Sequence, residues 1–312
     1  MDPRAADWFR RRTSTSDDWP LARVAAAKAA TGARISVVIP ARNEEATIAS
    51  VVGRIGHDLG GIVDELVVMD SLSGDRTAER ATAAGATVHS VADVRADLGV
   101  QAGKGEALWK SQFVTSGDIL VFVDADLTEW GPHFVLGLLG PLLAEPGVAL
   151  VKGFYDRVDQ TSDRPSTEGG RVTELVARPL LALHWPELGA VVQPLAGEWA
   201  IRRDLFAGLF VPVGYGVELA TLLDTLAARG PDAIAQVDLG RRAHRHQSVH
   251  DLGVMAAEIL RVADRRLPGR PTGVGDSVVL SQYDRGTARW QERPVPVGER
   301  PPAAATDLPE VS

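Results

Sequence analysis

The chain has 312 residues, 45% hydrophobic and 24% charged, a balance that supports a buried core in one large domain, or one domain with a subdomain. It contains no cysteine, which excludes disulfides, thiolate nucleophiles and zinc–thiolate sites. A formal net charge of −8 supplies no global field toward nucleic acid or anionic lipid, and no apolar run approaches the ~20 residues of a membrane span, so an anionic ligand must be met by local charge, backbone amides or a metal ion.

Residues 1–34 read as a polar lead-in followed by a helix over WPLARVAAAKAATGAR. The N-terminal MDPRAADWFRRRTSTSDD has no apolar stretch of signal-peptide type, so a cytoplasmic protein is expected. From residue 35 strands and helices alternate. ISVVIP (35–40) is a continuous apolar, β-branched run stopped by Pro40, and NEEATIASVVGRI carries acidic residues early and apolar residues at helical spacing. ELVVMD (65–70) predicts a second strand, SGDRTAERATAAG a helix ending at Gly85, and TVHSV (87–91) a short third strand. GKGEALWKSQFVTSG (103–117) predicts a helix and DILVFVDADL (118–127) a fourth strand. This alternation implies an α/β fold with a mostly parallel sheet and crossover helices.

The second half is less regular. GVALVKGFYD (147–156) predicts a strand, and a helix begins near Arg171. LAGEWAIRRDLF (195–206) turns from strand to helix, GVELATLLDTLAARG (216–230) is helical, AIAQVDLG (233–240) is a strand and VMAAEILRVADRR (254–266) a helix. The proline-rich end, residues 291–312, is expected to be a flexible tail. The expected division is a lead-in over 1–34, a nucleotide-binding half over 35–150, a second half over 151–290, and the tail.

VFVDADL aims Asp124 and Asp126 from the end of an apolar strand. Alternation along a strand puts both on one face, and the carboxyl ends of parallel strands border the ligand crevice. Like charges there repel unless a cation intervenes. A hard divalent ion, Mg²⁺ or Mn²⁺, takes oxygen ligands and bridges carboxylates to substrate phosphates. Helix capping or solvation of the aspartates is the plainer alternative.

The first strand end, IPARNEEATI, lacks GxGxxG, and no GxxxxGK[ST] occurs. Asn43 is placed to cap the following helix, with Glu44 and Glu45 favourable at its N-terminus. Asp70 and Ser71 end the second strand, where a ribose or base edge can sit. In GKGEAL, Lys104 supplies a point charge between two glycines. IPARNEE, VVMDSLSGDRT, GKGEAL and VDADL, in that order and spacing, resemble the nucleotide-binding half of GT-A glycosyltransferases over residues 35–127. The resemblance implies a nucleotide-diphosphate sugar and a divalent metal.

EGGRVTEL (168–175) sets glycines, Arg171 and Thr173 at a helix start, a ready anion site, although an ordinary glycine-rich turn has the same composition. In RRAHRHQSVH (241–250), His244 or His246 can complete a metal site begun by Asp126; a basic surface loop is the alternative.

Together GGRVTEL, QPLAGEWAIRR, GYGVE and RRAHRHQ resemble the glucosyl-3-phosphoglycerate synthase family of actinobacteria over roughly residues 20–290. That family moves glucose from UDP-glucose to the 2-hydroxyl of 3-phosphoglycerate with retention, using Mg²⁺ or Mn²⁺, as a homodimer, on the way to methylglucose lipopolysaccharide. Carried over by position, the resemblance implies that Pro40, Ala41, Arg42, Asn43 and Glu44 border uridine, with Ser71 and Lys104 on the uracil side. Asp124 and Ala125 would face the nucleotide, Tyr215 and Glu218 the donor sugar, and Arg242 and Gln247 the donor phosphates. Asp126 and His244 would bind the metal, and Gly170, Arg171, Val172 and Thr173 the phosphoglycerate. The Leu195–Ala196–Gly197 backbone is expected to steady the sugar cation. Asp126, Glu218, Leu195 and Arg242 are thus the expected catalytic group.

Three rivals share parts of the pattern. A mannosyl or polyprenyl-phosphate glycosyltransferase keeps the first half and changes the acceptor. A sugar-1-phosphate nucleotidyltransferase wants a glycine-rich, lysine-bearing first strand end, which PARNEE is not. A nucleotide-sugar sensor needs no second-substrate site, and GGRVTEL argues against it.

Overall fold

The apolar run from Ile35 becomes β2 (Ile35–Ala41), buried along almost its whole length because it is sandwiched on both faces and paired on both edges. In this computed structural model residues 2–159, 170–244, 248–268 and 277–306 are described. On one side of β2 lie β3 (Glu65–Asp70) and then β4 (Thr87–Ser90), all parallel. On the other side lies β5 (Ile119–Phe122), parallel to β2, followed by β7 (Trp199–Arg202), antiparallel to β5. β6 (Leu150–Asp159), β9 (Ile234–His244) and β1 (Thr13–Thr15) complete an eight-stranded sheet in the order β1-β9-β6-β7-β5-β2-β3-β4. Only β7 runs against its neighbours, as the mostly parallel expectation requires.

Side-chain alternation divides the core between the two faces. Val37, Ile39 and Val121 pack on one with the helices Ile48–Leu59 and His133–Ala144; Val38, Leu120 and Phe122 pack on the other with Lys104–Ser111 and Val217–Arg229. The sheet runs unbroken across residue 150, and the core on each of its faces draws residues from both halves.

Several elements differ from the reading of the sequence. β5 stops at Phe122, so Asp124 and Asp126 stand in the loop after the strand rather than on its pleat. The helix after β2 starts at Ile48, and its cap position is Thr47, not Asn43. Asn43 instead takes a left-handed turn (φ +57°), receiving Gly74 N–H on Oδ1 at 2.8 Å while its own N–H donates to Ser73 Oγ at 2.9 Å. The helix at GKGEAL covers only Lys104–Ser111. Gly103 ahead of it has φ +135°, and a Cβ on Gly105 would lie 1.8 Å from the Pro212 carbonyl oxygen, so both glycines are required by close backbone approach. The lead-in also holds a helix Pro3–Arg12, whose Trp8 is buried and donates to the carbonyls of Pro231 and Ile234.

The expected flexible tail is largely structured. β10 (Ser277–Asp284) and β11 (Arg289–Pro296) form a hairpin, and β12 (Glu299–Arg300) pairs with β8 (Val211–Pro212). Buried Arg300 makes a two-pronged ion pair with Glu106, 2.7 Å on each prong, and donates to the Leu98 and Gly99 carbonyls. Composition pointed to disorder; one desolvated charge pair and a strand pairing override it. Residues 307–312 lie outside the described part.

Candidate active site

The carboxyl ends of β2, β3 and β5 open on one edge of the sheet, where the loop at Asp124 meets three other segments. Lys104, at the start of its helix, reaches in to bond Asp124 Oδ1 at 2.6 Å and Glu218 Oε1 at 2.9 Å. Arg242, late in β9, donates through Nη2 to Asp124 Oδ2 at 3.0 Å and to Asp126 Oδ1 at 2.8 Å. Its Nη1 donates to the Tyr155 hydroxyl at 2.7 Å and to Glu198 Oε2 at 3.3 Å, with Glu198 Oε1 at 3.2 Å. The two aspartates do share a partner, through loop geometry rather than strand alternation. Gly197 packs directly on Asp124: a Cβ there would stand 2.3 Å from Oδ2.

The electrostatics follow from burial. Desolvation alone would raise the Asp124 carboxyl, but the Lys104 ammonium and Arg242 guanidinium hold it below the usual carboxylate range. Desolvation likewise opposes the charge of Lys104 and Arg242, and their carboxylate neighbours override it. Glu198 is pushed up, because its burial outweighs the help of Arg242. Burial pushes Lys152 down to about 7. The carboxylates of Asp124, Asp126, Glu198 and Glu218 outnumber the cations Lys104, Arg242 and Lys152. The oxygens of Asp124 and Asp126 are donors of the kind a hard divalent ion takes, once released from Arg242. Asp126 stays the more open of the aspartate pair, its side chain 31% exposed against 22% for Asp124.

Among the described residues no cluster of three or more His, Asp or Glu is arranged to hold a metal. His244 closes β9 opposite Asp159, two residues beyond Arg242; its side chain, like His246 and Gln247 entirely, lies outside the described part.

The expected uridine residues occupy the ends of β2 and β3. Pro40 and Ala41 finish β2, Ala41 O accepts from Ser71 N at 2.8 Å, and Arg42 is exposed. Glu44 N donates to Thr77 Oγ1 at 2.8 Å, which fixes the turn against the neighbouring helix. Asp70 is buried; its Oδ2 accepts from Ser73 N while Oδ1 has no hydrogen-bond partner. Ala125 is buried between the two aspartates. Tyr215, 45% exposed, and buried Glu218 sit on either side of the start of the helix Val217–Arg229.

The helix expected near Arg171 begins there. Residues 171–172 open it, a π segment follows over Thr173–Ala177, and Arg178–His184 continues it. Pro179 has no N–H and its ring crowds the preceding turn, which is where the widened segment lies. Arg171 is exposed, whereas Val172 and Thr173 are buried. Arg178 ties this helix to the segment before Leu195 by donating to Val191 O at 3.0 Å. Through that segment the helix is linked to the turn that packs on Asp124.

Tyr155, Glu198 and Lys152 went unrecognised as members of the site. Each sits in an otherwise apolar run, and a lone polar residue in a strand pattern was the available signal: Lys152 in LVKGF and Glu198 in AGEWAI.

A model of glycosyl transferase family 2 matches residues 36–208. Glucosyl-3-phosphoglycerate synthase of Mycobacterium tuberculosis is 49% identical over 294 residues, covering 91% of this chain and 89% of that protein. Its namesake from Petrotoga mobilis is 45% identical over 239 residues, covering 75% and 73%. The crystal structure of the M. tuberculosis enzyme with phosphoglyceric acid superposes with a TM-score of 0.83 at 46% identity, covering 94% of this chain and 97% of that one. The same enzyme with Mn²⁺, UDP-glucose and phosphoglyceric acid gives 0.82 at 48%, covering 91% and 94%. The matches cover nearly the whole chain at 45–49% identity, so this GT-A chain belongs to the glucosyl-3-phosphoglycerate synthases of glycosyl transferase family 2.

Proposed function

We propose that the chain transfers glucose from UDP-glucose to the 2-hydroxyl of 3-phosphoglycerate with retention of configuration. The observation that carries this is the convergence of Asp124, Asp126, Lys104, Glu218 and Arg242 at the end of β5. Asp126 with His244 would hold the divalent ion, Mn²⁺ or Mg²⁺, which supplies charge neutralisation for a departing diphosphate. The turn at Pro40–Glu44, with Ser71, receives the nucleoside, and Arg242 and Gln247 take the diphosphate. Arg242 is suited to this because its Nη1 side is anchored by Tyr155 and Glu198, leaving Nη2 to exchange the aspartates for phosphate oxygens.

Glu218 and Tyr215 orient the glucose, and the Leu195–Gly197 backbone faces its anomeric carbon. Arg171, with the Gly170–Thr173 turn, offsets the phosphate of the acceptor and sets its 2-hydroxyl on the same face as the leaving group. The bond from the anomeric carbon to the β-phosphate oxygen breaks, the bond to the acceptor oxygen forms, and the acceptor proton passes to a β-phosphate oxygen. Glu218 is committed to Lys104, an arrangement that suits a sugar-orienting carboxylate better than a nucleophile. A trapped glycosyl–Glu218 adduct would refute this mechanism.

The product suits methylglucose lipopolysaccharide synthesis in the cytoplasm by a homodimer. No helix among the described residues is long and apolar enough to cross a membrane. UDP-glucose and GDP-glucose, each crossed with 3-phosphoglycerate and glycerate, test the proposal. Turnover should need both the uridine donor and the phosphorylated acceptor; equal rates with glycerate would remove Arg171 from its role.

A further inference from the structure

Lys152 is a buried titratable group beside the site that the reaction above does not use. It is the third residue of β6, 1% exposed, and among the described residues no carboxylate lies within ion-pairing distance of it. Its one hydrogen bond is from Nζ to the Ala196 carbonyl at 2.8 Å, and its ammonium lies 5.6 Å from the centre of the Trp199 ring. An unpaired ammonium in a core is costly, and methionine would fill the same space without that cost. Packing therefore does not account for a lysine here.

Its place in the sheet does. Lys152 pairs across β6 with Trp199 of β7 and Gln236 of β9, so the three side chains form one row on one face. That row holds down the segment 190–198. Gln236 donates to Ala190 O at 3.2 Å and accepts from Val192 N at 2.9 Å. Gly153 N donates to Glu198 O at 2.9 Å, and Gln193 Nε2 donates to Tyr155 O. Lys152 fixes the middle of the same segment, at Ala196, next to the glycine that packs on Asp124.

We infer that Lys152 is a positioning residue, which by its hydrogen bond from Nζ to the Ala196 carbonyl holds the Leu195–Gly197 turn at the height required for transfer. The inference rests on the reading of that turn as the surface facing the anomeric carbon. A carbonyl held by a charged donor is fixed more firmly than one held by an amide, which suits a backbone whose position sets the transfer geometry. A misplacement of about 1 Å in such a surface can cost roughly 10²-fold in rate.

The test is Lys152→Ala and Lys152→Met in the full chain, assayed with UDP-glucose, Mn²⁺ and 3-phosphoglycerate, and titrated with UDP and Mn²⁺ by calorimetry. Both variants should lose 10- to 100-fold in kcat, while the Kd for UDP and the KM for phosphoglycerate stay within threefold. In Lys152→Ala, n-propylammonium should restore at least fivefold of the lost rate and 1-propanol should not. The inference is overturned if kcat stays within twofold of the wild type, if UDP binding falls in step with kcat, or if propanol rescues as well as propylammonium. A wild type that transfers no glucose would overturn the functional reading and this inference together. An active wild type with an equally active Lys152→Ala would overturn this inference alone.

Discussion

Arg242→Gln removes the guanidinium that Asp124, Asp126 and Glu198 share. Its side chain is 7% exposed and its Nη atoms lie 2.8 to 3.2 Å from the nearest oxygen of each carboxylate. Deleting one partner of a buried ion pair costs about 3–5 kcal/mol, because the remaining charge stays desolvated and unpaired. At roughly 2–4 °C per kcal/mol for a domain of this size class, Tm should fall by about 6–20 °C. The loss should shrink in the presence of Mn²⁺ without nucleotide. On the proposed metal role, the arginine and the ion would compete for the same aspartate oxygens in the wild type; in the variant the ion would meet no guanidinium there and would stabilise the fold by mass action.

The acid limb gives a second reading. A carboxylate held low in the folded state adds stability above its ordinary range, and that stability disappears as pH falls through the folded value. Lys104 and Arg242 hold Asp124 low. The wild type should therefore lose stability steeply as pH drops below about 4–5, and the variant less steeply because part of that contribution is already gone. Thermal melts from about pH 2 to pH 8, with and without Mn²⁺, measure all three quantities. A variant that melts within 1 °C of the wild type, or gains no more from Mn²⁺ than the wild type does, would refute the view of Arg242 as the counter-ion of the aspartate pair.

Further outcomes follow from individual contacts. Asp126→Ala should abolish turnover while the fold survives, since Arg242 keeps Asp124 and Glu198; activity in this variant, or wild-type activity that withstands a chelator, would count against the metal role. Arg171→Ala should raise the KM for phosphoglycerate far more than that for UDP-glucose, and equal effects in steady-state kinetics would move the acceptor elsewhere. Burial pushes the Glu258 carboxyl, which accepts from Tyr215 N, up to about 7. A group raised in this way costs the fold stability as pH climbs from its ordinary range through 7. Glu258→Gln should therefore flatten the decline in Tm between pH 5 and 8, by on the order of 1–3 kcal/mol; an unchanged slope would argue otherwise. Gly105→Ala drives a Cβ into the Pro212 carbonyl and should destabilise by about 1–3 kcal/mol in denaturant melts.

The sequence alone carried most of the nucleotide half. Runs such as ISVVIP and ELVVMD are strands because a parallel sheet covered on both faces demands uninterrupted apolar, β-branched segments, and that demand is local and periodic. The chain order of IPARNEE, VVMDSLSGDRT, GKGEAL and VDADL pointed to a GT-A nucleotide half, and GGRVTEL, QPLAGEWAIRR, GYGVE and RRAHRHQ to the family; Asp124, Lys104, Glu218 and Arg242 do converge.

What only the tertiary structure decided is how the charges are shared. Arg242 stands 118 positions after Asp124, and Arg300 stands 194 after Glu106; no periodicity links such partners. Lys152 and Glu198 read as interruptions in strands until β6, β7 and β9 are laid side by side, when a row of side chains is seen to hold the turn beside Asp124. The proline-rich end shows the same limit. Composition registers the conformational freedom of a segment in isolation, while its order here comes from desolvated ion pairs and strand contacts with residues far away in the chain.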